Sequence, residues 1–89
     1  MNYNKAIAGS TDNNDILVEL LPNDSGRKID LVKSPVKEHF GDKIIECVNN
    51  VLDEYNIKDI TVQLTDRGAL DYAIKARVKT AILRGLENE

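Results

Sequence analysis

The sequence predicts an α+β fold, a small sheet of about three strands with two helices packed on one face, in the order ββαβα. Three observations carry this. Two short β-leaning runs flank a cluster of turn residues in the first third of the chain. Apolar residues then recur at spacings of three and four from Val36 to Tyr55. An alternating segment, Asp59 to Leu64, leads into a second amphipathic stretch.

Residues 1–14 are polar, with Gly9 and four Asn, and read as a mobile N-terminal arm or loop. Ile16-Leu17-Val18-Glu19-Leu20-Leu21 is a strand by pattern. Pro22-Asn23-Asp24-Ser25-Gly26 favours a turn at every position. Lys28 to Lys33 alternates polar with apolar, so the two strands are expected to pair as a hairpin with one wet face. Ser34 is the expected N-cap of the first helix, with Pro35 at its first position. Val36, Phe40, Ile44, Cys47, Val48, Val51, Leu52 and Tyr55 form its buried face, and Asn56 supplies the left-handed residue that ends it. Asp66 is placed to cap a second helix from about Gly68 to Leu86. On that helix Leu70, Ala73, Ile74, Val78, Ala81 and Ile82 share the core arc, at about 100° per residue.

Length and composition bound the function. A chain of 89 residues makes one domain, 1–89. Three Tyr, one Phe and no Trp leave no stacking platform for single-stranded nucleic acid. A formal net charge of −3 argues against a nucleic-acid partner of any kind. Cys47 is the single cysteine, which rules out an internal disulfide and fits a reducing, cytoplasmic setting. No apolar run approaches a membrane span, and no signal segment opens the chain.

Catalysis has little material. His39 lies early in the first helix and reads as a solvated side chain. Cys47 falls on the apolar face and reads as a small core hydrophobe. No cluster has metal-ligand spacing, and no glycine-rich phosphate loop is present. The chain therefore reads as a non-catalytic protein without a metal. Asp24-Ser25 has the look of a phosphopantetheine acceptor pair, but Gly26 and a strand follow where a helix would be needed, so a turn explains it. Two features of the second helix are candidate contact sites. Arg77 and Arg84, seven apart, line one flank of the core arc, where they could hold a phosphate or a partner's carboxylate, or lie over the core edge and pair locally. Tyr72, Ala76 and Leu83 form an apolar strip on the opposite side, either a docking surface or a cover for the end of the sheet.

Three blocks give the chain a resemblance. Ala8-Gly9-Ser10-Thr11-Asp12-Asn13-Asn14-Asp15-Ile16 resembles the Ala-Gly-Thr/Ser-x-Glu-Ser-x-Asp-Ile/Val segment of the citrate lyase acyl-carrier (gamma) subunit family. Ser34 to Asp42 is similar to that family's Ser-Ser-Val-x-Lys-Gln-Phe-Gly-x. Asp66-Arg67-Gly68-Ala69-Leu70-Asp71-Tyr72 is similar to Asp-Lys-Gly-Ala-Leu-Asp-Cys, with Tyr72 at the cysteine position. The blocks come in the family's order and span nearly the whole chain.

The resemblance implies a cytoplasmic acyl carrier bearing a covalent 2'-(5''-phosphoribosyl)-3'-dephospho-CoA arm. The arm's thiol would hold acetyl or citryl thioesters between a transferase (alpha) and a lyase (beta) subunit. It also implies that the arm joins a serine at the position occupied here by Asn13, which has no hydroxyl. Three explanations stay open at this point. The arm is attached at Ser10 or Thr11; the chain is a carrier paralogue or interaction module without the prosthetic group; or the residue at 13 has been changed, leaving an apo form.

Overall fold

The structure, a computed structural model, describes residues 4–87. The element order is β1 (Ala6–Gly9), β2 (Ile16–Pro22), β3 (Arg27–Lys33), α1 (Lys37–Glu54), β4 (Ile60–Asp66) and α2 (Asp71–Glu87). The α+β class is as expected, with four strands among the described residues rather than about three. The additional strand is β1, inside the segment expected to be a mobile arm or loop over 1–14. Residues 1–3 of that segment lie outside the described residues. The overlooked signal is Ala6-Ile7-Ala8, whose two alanines are buried while Ile7 faces out. Period-2 alternation in a strand this short is easily masked by the polar residues around it.

The sheet order is β1-β2-β4-β3. β1 pairs antiparallel with β2, and β2 antiparallel with β4. β3 runs parallel to β4, so β2 and β3 are not the expected hairpin. Pro22 and Arg27 both lie opposite Ile60, one on each side, so the connection 23–26 steps across the start of β4. It is fastened there by two side chains and a backbone bond. The Gly26 amide donates to Asp59 Oδ1 (2.9 Å), the Ile60 amide to the Gly26 carbonyl (3.2 Å), and Asn23 Nδ2 to Thr61 Oγ1 (2.8 Å).

Burial explains why β4 takes the inner place. Its Ile60, Val62, Leu64 and Asp66 are all fully buried. β3, by contrast, exposes Val32 and the charged Lys28, Asp30 and Lys33, and such charges suit an unpaired edge. A parallel pair needs a long crossover, and α1 supplies it.

Both helices pack on one face, α2 against β1 and β2 and α1 against β3 and α2. The core joins Ile16, Val18 and Leu20 of β2 with the inward residues of β4, Val48, Val51 and Leu52 of α1, and Ile74, Val78, Ala81 and Ile82 of α2. Asn56 ends α1 as expected, at φ 56°, with the Ile57 amide reaching back to the Leu52 carbonyl (3.0 Å).

Both helix starts are corrected. α1 begins at Lys37, because Ser34 Oγ accepts from the Val36 amide (3.2 Å) and closes a local turn through Pro35. α2 begins at Asp71, because Asp66 Oδ1 accepts from the amides of Gly68 (3.1 Å) and Ala69 (2.9 Å) and turns the chain ahead of the helix. Two expected core residues consequently lie outside it: Phe40 is 52% exposed and Leu70 62%. Both line a groove of about 340 Å³, together with the buried Ile44 and Ile74. Among the described residues no helix is long and apolar enough to cross a membrane.

Candidate functional site

The segment singled out by the sequence, Ala8 to Ile16, is the β1–β2 connection, at the end of the sheet where Ile16 pairs with Asp66. Gly9 opens it. Its φ is +88°, and a Cβ there would stand 1.8 Å from the Ile16 carbonyl oxygen, so only glycine lets the two strand ends approach this closely. Asn14 takes the left-handed conformation at φ 65°, and the Asp15 amide donates to the Asp12 carbonyl (3.1 Å) to close the turn.

Asp15 organises the loop. One carboxylate oxygen accepts from Ser10 Oγ (2.6 Å) and the other from the Ile16 amide (2.8 Å). Arg77 of α2 grips both, through Nε at 3.0 Å and Nη2 at 3.1 Å, a two-pronged pairing that suits a planar guanidinium. The Ser10 hydroxyl, the Ile16 amide and the Arg77 cation together hold the Asp15 carboxyl at about 2, below its ordinary 3.8. Ser10 Oγ also accepts from the Asp12 amide (3.2 Å), so its hydroxyl is engaged in both directions.

A second strap comes from the β4–α2 connection. The Asn14 amide donates to the Arg67 carbonyl (2.8 Å), and the Arg67 amide donates to the Asp15 carbonyl (2.9 Å). The Arg67 guanidinium lies over the loop, donating from Nη1 to the Thr11 carbonyl (3.2 Å) and from Nη2 to Asn13 Oδ1 (3.4 Å). Among the described residues it pairs with no carboxylate. The expected mobile loop is therefore tied down at 10, 14 and 15, while Thr11, Asp12 and Asn13 remain exposed.

The other candidates fall as follows. Asn13 sits on the exposed turn under Arg67, and its amide offers no nucleophilic oxygen for a phosphodiester. Arg77 and Arg84 are both engaged within the chain, Arg77 with Asp15 and Arg84 Nη1 with the Ile7 carbonyl (2.8 Å). Tyr72 is 73% and Leu83 46% exposed, with Ala76 exposed between them, so this strip does not cover the end of the sheet. Cys47 is buried, its Sγ 3.8 Å from the Asp71 carbonyl oxygen, and burial raises its thiol above the usual range. Sequence reasoning missed Asp15 and Arg67. Their partners lie 62 and 54–56 residues away in the chain, beyond any local pattern.

Residues 3–85 match the family described as ACP: Malonate decarboxylase delta subunit (MdcD). The chain is 40% identical over 79 residues to the citrate lyase acyl carrier protein of Halothermothrix orenii, covering 89% of this chain and 83% of that one. It is 42% identical over 84 residues to that of Latilactobacillus sakei, covering 94% and 82%. The same protein of Treponema denticola is 42% identical over 84 residues, covering 93% of each. Matches of this extent leave no element of the fold outside the comparison, and the chain belongs to the acyl carrier protein family that includes the malonate decarboxylase delta subunit and the citrate lyase acyl carrier proteins.

Proposed function

We propose that this chain is the acyl carrier subunit of a citrate lyase complex, with loop 10–15 as the place where a phosphate-linked thiol arm is carried. The observation that supports it best is the match to citrate lyase acyl carrier proteins along nearly the whole chain, loop included. When bound, such an arm supplies a thiol that forms thioesters with acetyl and citryl groups. Residue 13 itself does not fit the group, because asparagine has no hydroxyl to esterify. The rest of the loop does fit it: Ser10 and Thr11 supply hydroxyls, and Arg67 supplies a cation that has no acidic partner among the described residues.

In this reading the chain's own residues present the arm. The Asp15–Arg77 pair and the straps from Arg67 fix the base of the loop, so the arm swings from a defined point and meets each partner site at high effective concentration. Tyr72, Ala76 and Leu83 offer the transferase and lyase subunits an apolar strip on the outer side of α2. Neither role calls for an active site within this chain.

Asn13 also supports a second reading, a carrier paralogue that joins the complex as an interaction module without the arm. Intact mass of the chain, co-expressed with the enzyme that loads citrate lyase carriers, separates the two. A single covalent increment is expected. Unmodified chain that still co-purifies with the lyase and transferase subunits would favour the interaction module instead.

A further inference from the structure

We propose that Thr11 Oγ1 is the attachment atom of the arm in this chain, with Arg67 pairing to its phosphate; the inference rests on the carrier reading given above. It follows from comparing the hydroxyls that the fold brings forward.

Ser10 is the nearest alternative and the least available. Its proton is donated to Asp15 at 2.6 Å, and its oxygen accepts from the Asp12 amide. Esterification would remove that proton and set a phosphate anion against a carboxylate that Arg77 already holds in place. Ser25 lies on the connection 23–26, at the opposite end of β2, about 20 Å from this loop at the usual rise of a seven-residue strand. Asp24 and the Asp59 carboxylate that binds Gly26 lie beside it, and the nearby Arg27 is already paired with Asp53 and Asn49. Ser34 and Thr80 donate their hydroxyls to Asp66 and to the Ala76 carbonyl.

Thr11 differs on each count. Its side chain is exposed, and its hydroxyl makes no hydrogen bond among the described residues. Its own carbonyl is held by Arg67 Nη1, and the other prong of that guanidinium reaches residue 13, two positions on. The cation therefore contacts the side chain at the position where the family carries its serine and the backbone of the residue that bears the one exposed, unengaged hydroxyl in the loop. A phosphate on Thr11 would find a guanidinium whose present partners are a neutral carbonyl and a neutral amide oxygen.

The chemistry balances as a phosphoryl-group transfer. Thr11 Oγ1 attacks the phosphorus next to the arm's ribose in a triphosphate-activated form of the arm. The new O–P bond replaces the bond to the leaving group, which departs as pyrophosphate with the electron pair, and the hydroxyl proton passes to solvent or to a base of the loading enzyme. No oxidant or reductant is required.

The experiment is loading of the full chain by the carrier-loading enzyme with the triphosphate-activated arm, read by intact mass and by fragmentation of the tryptic peptide Ala6–Arg27. That peptide contains Ser10, Thr11 and Ser25 together. One adduct on Thr11 is expected, lost in Thr11→Val and kept in Ser10→Ala. Arg67→Gln should slow loading about tenfold, the usual effect of removing one charge-assisted contact. An adduct on Ser10 or Ser25 overturns the assignment and leaves the carrier reading standing. An unmodified wild type beside a loaded Asn13→Ser variant also overturns it, and shows that the hydroxyl at 13 is what this scaffold lacks. If Asn13→Ser stays unmodified as well, the carrier reading falls with it.

Discussion

Replacing Gly9 by alanine tests how tightly the β1–β2 connection is built. Two costs add at this position. The residue sits at φ +88°, and the left-handed region costs an L-residue about 1–2 kcal/mol. The added Cβ would also stand 1.8 Å from the Ile16 carbonyl oxygen and 3.0 Å from its carbon, both of them backbone atoms that no rotamer change can move aside. Relieving that contact means parting the ends of β1 and β2 and weakening the Gly9–Leu17 pairing, an overpacking cost of about 1–3 kcal/mol. The sum is about 2–5 kcal/mol, a large share of the 5–15 kcal/mol typical of a domain. In a chain of this size it lowers Tm by about 10 °C or more.

Gly26 supplies the control. Its φ is +98°, yet nothing lies within 4 Å of the Cβ it would gain, so Gly26→Ala carries the conformational cost alone, about 1–2 kcal/mol. Urea unfolding of both variants, followed by far-UV circular dichroism with the slope checked for constancy, gives the comparison. Equal losses in the two variants would refute the close approach at Gly9.

Three further outcomes are expected. Asp15 titrates at about 2 in the folded chain against 3.8 ordinarily, so its contribution is complete above about pH 5 and is lost as pH falls toward 2. Asp15→Asn should therefore cost about 1–2 kcal/mol in urea unfolding at pH 6, a figure reduced for the 45% exposure of the Arg77 side chain, and the gap to wild type should narrow at pH 2. Asp66 is fully buried and accepts from Ser34 Oγ (2.7 Å) as well as from two amides, so Asp66→Ala should cost about 3–4 kcal/mol by thermal unfolding, and a loss under about 1 kcal/mol would show those bonds to be marginal. Tyr72→Glu should leave the isolated chain's stability within about 0.5 kcal/mol while abolishing recovery of the proposed transferase and lyase subunits in a pulldown; unfolding of the variant would contradict the exposure of this side chain.

The elements legible in the sequence were those whose signal is local. The spacing from Ile44 to Leu52 marked the buried face of α1, and the alternation at Ile60, Val62 and Leu64 marked β4. Asn56 identified the end of α1, because few other residues accept its backbone conformation. What stayed hidden was pairing. The connection 23–26 has the composition of a hairpin turn, yet it steps over β4, and only the greater burial of β4 reveals that it must lie between β2 and β3. The site divided along the same line. The loop's position could be read from its motif, whereas its fastening by Arg67 and Arg77 depends on contacts made only after α2 packs against β1 and β2. Phe40 and Leu70 were misplaced for a related reason: each sits at a helix start that side-chain bonds from Ser34 and Asp66 moved toward the C-terminus.

Cys47 makes the most direct test of the carrier account simple to read. It is the only cysteine in the sequence, and burial both shields its thiol and raises its pKa. A thiolate-dependent reagent added to the native protein should therefore pass it by. The measurement is the number of fast-reacting thiols per chain in native protein isolated with its complex, after mild hydroxylamine has cleaved any thioester. One is expected, belonging to the arm on loop 10–15. No fast thiol in such a preparation, with Cys47 reacting only on unfolding, would contradict the carrier account.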